Sequence, residues 1–85
     1  RYVASGEINS TVADAAAATE EVIAAFADQT ASVDRLDGVT VDLTDGSWFN
    51  LRASNTEPLL RLNAEAATSE RVDEIVTTVL GIVRV

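Results

Sequence analysis

The sequence contains no cysteine, no histidine and no lysine, and only one proline. Without cysteine there are no disulfides and no thiolate metal sites, so the redox compartment is unmarked and cytoplasm is the default expectation. Without histidine, imidazole general acid–base chemistry and His-ligated metals are excluded. No apolar run approaches the roughly 20 residues that a membrane-spanning helix needs. The start of the chain has no basic segment leading into an apolar one, so no signal peptide is expected. It begins at Arg1 rather than methionine, which suggests a piece cut from something longer.

The cations are six arginines, and the formal net charge is −8. A body this acidic repels nucleic acid and anionic lipid at long range, so neither is an expected partner. Any anion it binds has to be held by local groups acting against the overall field.

What is present suits a small folded domain. With 85 residues, 47 % of them hydrophobic, residues 1–85 read as a single domain. A chain of this size buries roughly 60–65 % of the surface it exposes when unfolded, enough for modest stability alone.

Tyr2 to Ile8 reads as a first strand, and Asn9, Ser10 and Thr11 are good helix N-caps. Val12, Ala15, Ala16, Thr19, Val22, Ile23 and Phe26 then recur at helical spacing, fading near Gln29. Val33 to Leu36 reads as a short extended lead-in to a turn at Asp37-Gly38. Val39, Val41 and Leu43 alternate with Thr40, Asp42 and Thr44, as in a strand with one wet face. Asp45-Gly46 is a hairpin signal. Trp48 to Ala53 follows, with Phe49, Leu51 and Ala53 on one face and Trp48, Asn50 and Arg52 on the other. Leu60, Leu62, Ala64 and Ala66 alternate with Arg61, Asn63 and Glu65. A closing helix is expected from an N-cap at Thr68 or Ser69, with an apolar stripe of Val72, Ile75, Val76, Val79, Leu80 and Val83. The β-branched Val83 to Val85 leave its end open.

The expected fold class is α+β, in the order β-α-β-β-β-α: a four-stranded antiparallel sheet with both helices packed on one face. The other face would carry Asp42, Asn50, Arg52, Arg61 and Asn63.

Most patterns that suggest chemistry have plainer explanations. "DLTDGS" (Asp42 to Ser47) lacks the alternate-position carboxylates of a calcium loop and reads as a turn. "NST" (Asn9 to Thr11) matches a glycosylation sequon, but helix capping is the preferred reading. Glu20-Glu21 and the acids between Glu70 and Glu74 read as solvated helix faces.

The exception is "RASNTEP" (Arg52 to Pro58), a glycine-free connection between two strands. As a plain polar loop, its Ser, Asn and Thr would satisfy their own backbone. Yet Arg52 offers a planar fork of donors suited to phosphate. Ser54, Asn55 and Thr56 add short side chains and three consecutive N–H groups, which can form a concavity for an anion. Pro58 fixes φ and pushes Glu57 towards an extended conformation. Glu57 would repel a bound phosphate, so it is expected to point away or to orient another group.

"FNLRASNTEPLLRLNAEA" (Phe49 to Ala66) resembles the C-terminal domain of the α-D-phosphohexomutases, in the bacterial phosphomannomutase/phosphoglucomutase branch. "SGEIN" (Ser5 to Asn9) resembles the strand opening that domain. The resemblance covers essentially the whole chain and implies a TBP-like fold. It also implies a parent enzyme that moves phosphate between the 1- and 6-positions of a hexose through a hexose 1,6-bisphosphate. In that family the reactive phosphoserine, an acidic Mg²⁺ loop and the sugar-reading loop belong to other domains of the same chain. The fourth domain clamps the non-reacting phosphate, a role that by motif position falls to Arg52, Ser54, Asn55 and Thr56, with Glu57 and Pro58 supporting the loop. The phosphoserine and metal loops are missing from this sequence, so no catalytic or metal-binding residue is expected in it. The alternative is a stand-alone module presenting the polar sheet face to a protein partner.

Overall fold

The computed structural model describes residues 2–84. The elements are β1 (Val3–Ala4), β2 (Ile8–Thr11), α1 (Ala15–Ala25), a 3-10 turn (Ala27–Gln29), β3 (Thr30–Asp34), β4 (Val39–Leu43), β5 (Trp48–Ala53), β6 (Leu59–Ala66) and α2 (Ser69–Val83). The class is α+β, as expected. The sheet is antiparallel in the order β1-β6-β5-β4-β3, with β2 also pairing β6.

Alternation builds the core. Val41 and Leu43 of β4, Phe49 and Leu51 of β5, and Leu60, Leu62, Ala64 and Ala66 of β6 turn to one face and are buried. The helices cover that face with Ala18, Val22, Val72, Ile75, Val79 and Val83, all in the same cluster. Phe26, just past α1, packs its ring on Phe49 with centroids 4.9 Å apart, an offset, tilted geometry that adds to the burial of two large side chains.

The expected opening strand is two strands. Ala4 faces Glu65 and Ile8 faces Leu62, so one extra residue has entered between them, a bulge against β6. Gly6 takes φ +74 there, which costs glycine little. Ser5 bridges the break: its N–H donates to Ala64 O at 2.8 Å, and its Oγ accepts from Ala64 N at 2.9 Å.

Asn9, Ser10 and Thr11, expected to cap the first helix, belong to β2 instead, because the edge of β6 offers them a ladder. The cap is Asp14, whose Oδ1 accepts from Ala17 N at 3.0 Å. On α1, Ala16 faces solvent and Ala18 takes the core position. The lead-in expected at Val33 to Leu36 is the five-residue edge strand β3, giving five sheet positions rather than four. Its residues are almost all exposed, so no apolar alternation marked it. The closing helix follows expectation: Thr68 Oγ1 caps it by accepting from Arg71 N at 3.1 Å. Val83 is helical and Arg84 caps the end, whereas Val85 lies outside the described residues.

Two arginines tie the helical layer to the sheet. Arg84 Nε donates to the buried Ser10 Oγ at 3.0 Å. Arg71 donates from Nε to Asp45 Oδ2 at 3.0 Å and from Nη2 to Gln29 Oε1 at 2.6 Å, joining α2 to the β4–β5 hairpin and the 3-10 turn. The Ser47 backbone N–H is the main reason the Asp45 carboxyl lies below its ordinary value, with the Ser47 hydroxyl and the Arg71 guanidinium helping and partial burial opposing.

A carboxyl lowered in the folded state binds protons more readily when unfolded. Its stabilisation is therefore complete above the unfolded pKa, about 4, and is lost as pH falls through the folded value. Asp45→Asn should lower the urea midpoint at pH 7 and flatten its decline between pH 5 and pH 2. Denaturation series at each pH measure this, and an acid limb identical to wild type would contradict it.

Candidate functional site

The longest ladder in the sheet, β5 against β6, sets the site. Its register pairs Phe49 with Ala64 and Leu51 with Leu62 on the core side, so the intervening pairs Trp48–Glu65, Asn50–Asn63 and Arg52–Arg61 face outward. Arg52 is therefore a strand residue near the end of β5, not part of the connecting loop. Two arginines directly across a ladder repel each other. Arg61, which the sequence placed only on the polar face, thus joins Arg52 at the base of the loop, and among the described residues its side chain has no ion-pair or hydrogen-bond partner. A cation standing apolar-patterned between Leu60 and Leu62 was legible; its exact partner across the ladder needed the register.

Beyond Ala53 the chain closes with Ser54 N donating to Leu59 O at 3.0 Å, leaving Asn55 to Pro58 as the connection. Leu59 N donates to Glu57 O at 2.7 Å around Pro58. With no positive φ at any described non-glycine residue, this is an inverse γ-turn, which suits the fixed φ of proline. Pro58 O accepts from Val12 N at 2.8 Å, pinning the exit of the loop to the strand beside it.

Ser54 Oγ accepts from Thr56 N and Glu57 N, both at 3.3 Å. The concavity expected from three free N–H groups is thus partly filled by the loop's own hydroxyl, since Ser54 N is engaged by Leu59 and Thr56 N by Ser54. Two bonds of this length from one oxygen are weak. The side chains of Asn55, Thr56 and Glu57 are exposed.

Arg52 lies in an exposed ion pair: its Nη2 donates to Asp37 Oδ1 at 2.7 Å, with the side chains 57 % and 77 % exposed. These two residues stand at one end of a groove of about 490 Å³ across the polar sheet face. Along the rest of that face the side chains bond one another. Asn50 Nδ2 donates to Thr40 Oγ1 at 3.0 Å, and Trp48 Nε1 to Glu65 Oε1 at 3.3 Å. Among the described residues no three acidic side chains gather into a group that could hold a metal ion. Chemically, this end of the domain offers a guanidinium, a second arginine and short polar donors, suited to gripping an oxyanion.

Ser54→Ala should leave the fold intact and release the Thr56 and Glu57 amides, which would exchange with solvent several-fold faster, a weak hydrogen bond contributing on the order of 1 kcal/mol. Amide exchange read by NMR checks this; unchanged protection would mean the hydroxyl does not organise the loop.

Residues 7–82 match the family model described as "Phosphoglucomutase/phosphomannomutase, C-terminal domain". A protein named "Phosphomannomutase" from Salmonella typhimurium is 53 % identical over 66 residues, 76 % of this chain and 14 % of the relative. One named "Phosphohexose mutases" from Xanthomonas campestris pv. campestris matches to the same extent, 53 % over 66 residues, 76 % of this chain and 14 % of the relative. A "Phosphomannomutase" from Methanocaldococcus jannaschii is 44 % identical over 79 residues, 88 % of this chain and 17 % of the relative. The chain thus spans only about a seventh of the length of the first two relatives, 14 % in each. An antiparallel sheet with two helices on one face, the R-x-S-N-T-x-P segment at its exposed end and a family match from residue 7 to residue 82 agree, and the chain belongs to the phosphoglucomutase/phosphomannomutase C-terminal domain family.

Proposed function

We propose that this domain is the phosphate clamp of an intramolecular phosphotransferase that interconverts hexose 1-phosphate and hexose 6-phosphate, of mannose or glucose, through a hexose 1,6-bisphosphate. Its immediate partners are the sugar phosphate and other domains of the same parent chain, in the cytoplasm. The observation that carries this reading is the exposed Arg52, set opposite Arg61 at the base of a loop of short polar donors, in a chain whose net charge is −8. Two apposed arginines repel each other, and Asp37 is paired with Arg52 alone, so a negative ligand beside them would relieve the repulsion.

Each residue has a distinct task. The Arg52 guanidinium neutralises the non-reacting phosphate and donates to it in one plane. Arg61 adds charge from the facing strand. Ser54 holds the Thr56 and Glu57 N–H groups in place through bonds of 3.3 Å, which a phosphate oxygen outcompetes because charge-assisted bonds are shorter and stronger. Its freed hydroxyl then donates to the ligand. Asn55 and Thr56 supply further donors, while Pro58 fixes the exit and Glu57, exposed and bonded to no arginine among the described residues, stays on the solvent side.

The contribution to catalysis is positioning. Gripping the remote phosphate aligns the other end of the sugar with the reacting group, and remote binding energy is expressed as rate. In the parent enzyme, Mg²⁺ held by another domain would neutralise charge on the phosphoryl group in transfer. Because the phosphate moves between the two ends of the hexose, the clamp must accept a phosphate carried on either position, which favours donors aimed at the phosphate alone.

In the full-length enzyme, Arg52→Ala should raise KM for the hexose phosphate and lower kcat/KM by about 100-fold, equivalent to roughly 3 kcal/mol. Steady-state kinetics decide it, and wild-type parameters in the variant would remove Arg52 from the clamp.

A further inference from the structure

Arg52 is a long side chain on an open sheet face. Left alone it would spread over many rotamers, and Arg61 across the ladder would push it aside. We propose that Asp37, in the connection between β3 and β4, is a positioning residue that holds the Arg52 guanidinium ready for the phosphate. This rests on the phosphate-clamp reading and adds to it a residue outside the R-x-S-N-T-x-P segment.

Three observations support it. First, the contact is single-pronged. Asp37 Oδ1 accepts from Nη2 at 2.7 Å, and no second bond from this guanidinium to a carboxylate exists among the described residues. Nε, Nη1 and the second proton of Nη2 stay available for an oxyanion, whereas a two-pronged carboxylate would occupy the fork that phosphate needs.

Second, the backbone of the connection lies against Arg52. Gly38 takes φ +69, and a Cβ added there would fall 2.7 Å from Leu51 O and 2.9 Å from Arg52 Cγ. Only glycine lets the turn come close enough for the preceding carboxylate to reach the guanidinium.

Third, the connection is itself anchored, so Asp37 is a fixed point rather than a drifting counter-ion. Arg35 makes a two-pronged pair with Glu20 of α1 at 2.8 and 3.1 Å. Leu36 N donates to Asp34 Oδ1 at 2.8 Å. Asn50 Nδ2 reaches Asp37 O at 3.4 Å from the strand carrying Arg52.

A carboxylate near a phosphate site also repels the ligand, and the two effects have opposite signs in a measurement. In water-exposed surroundings the repulsion is screened, while ordering a long side chain before binding spares that entropy at the moment of binding. On this proposal pre-ordering outweighs the screened repulsion, and the sign of the KM change in Asp37→Ala reads which of the two dominates.

The test uses the full-length enzyme with mannose 1-phosphate and glucose 1-phosphate. Asp37→Ala should raise KM about threefold to tenfold, the range expected for one ordered side chain, with kcat close to wild type. The melting temperature should hold, because an exposed pair contributes little to folding. Asp37→Asn, which keeps an acceptor oxygen at the same place, should recover most of the affinity. An unchanged KM in Asp37→Ala overturns the proposal, and a lowered KM does so too, by making Asp37 a competitor of the phosphate. Arg52→Ala, measured alongside, separates the two levels. If it raises KM while Asp37→Ala does not, positioning alone fails; if it too is silent, the clamp reading fails and the positioning role falls with it.

Discussion

The pairing of β5 with β6 decides both the core and the site. Side chains in a strand alternate with period two, so the register that sends Phe49, Leu51, Leu62 and Ala64 inward sends Arg52, Arg61, Asn50 and Asn63 outward. A slip of β6 by one residue against β5 would turn the Arg61 guanidinium inward and expose Leu60 and Leu62. Hydrophobic burial therefore enforces, at no separate expense in binding contacts, the placement of two cations side by side at one end of the sheet. The helices contribute by covering the apolar face, leaving the arginines on the face that stays open.

The site is a local exception within an acidic molecule. Long-range potential disfavours an anion, so on the proposed reading a phosphate would have to be attracted over a few ångströms, through oriented donors and a positioned guanidinium. The connections at this end are stiffened accordingly. The β5–β6 loop is held by a serine hydroxyl, a proline-centred γ-turn and a bond to Val12, and the neighbouring β3–β4 connection is tied to α1 through Arg35 and Glu20. At the opposite end of the sheet, the hairpin after β4 is fastened by Asp45 and Arg71, whose guanidinium is engaged by Asp45, Gln29 and Glu74. The two ends thus differ in what their charges do: one end closes on itself, the other keeps donors free.

Much of this was legible in the residues. The alternation of Val39 to Leu43, Trp48 to Ala53 and Leu60 to Ala66 gave the strands and their faces, and the Val72 to Val83 stripe gave the closing helix with its Thr68 cap. The motif from Arg52 to Pro58 stood out because a strand connection rich in donors and free of glycine asks for an explanation. Three features were hidden for physical reasons. β3 carries no apolar alternation, because an edge strand with both faces near solvent needs none. The bulge at Gly6 depends on what faces it in β6, and no local pattern encodes that partner. Asn9 to Thr11 have good capping side chains, yet an unpaired strand edge outcompetes a local cap, and Asp14 takes the role. The apposition of Arg52 with Arg61, and the reach of Asp37 to the guanidinium, are likewise products of register and turn geometry rather than of spacing along the chain.

The central claim is that the open end of the sheet, and not another surface, receives a sugar-borne phosphate. A titration of the isotopically labelled domain with glucose 6-phosphate, followed by NMR, addresses it most directly. The account predicts weak binding in the millimolar range, about 4 kcal/mol, with the first shifts at the amides of Ser54 to Glu57 and at the Arg52 Nε resonance. Saturable shifts confined to other surfaces, such as the acidic face of α2, with the Ser54 to Glu57 amides silent, would contradict it.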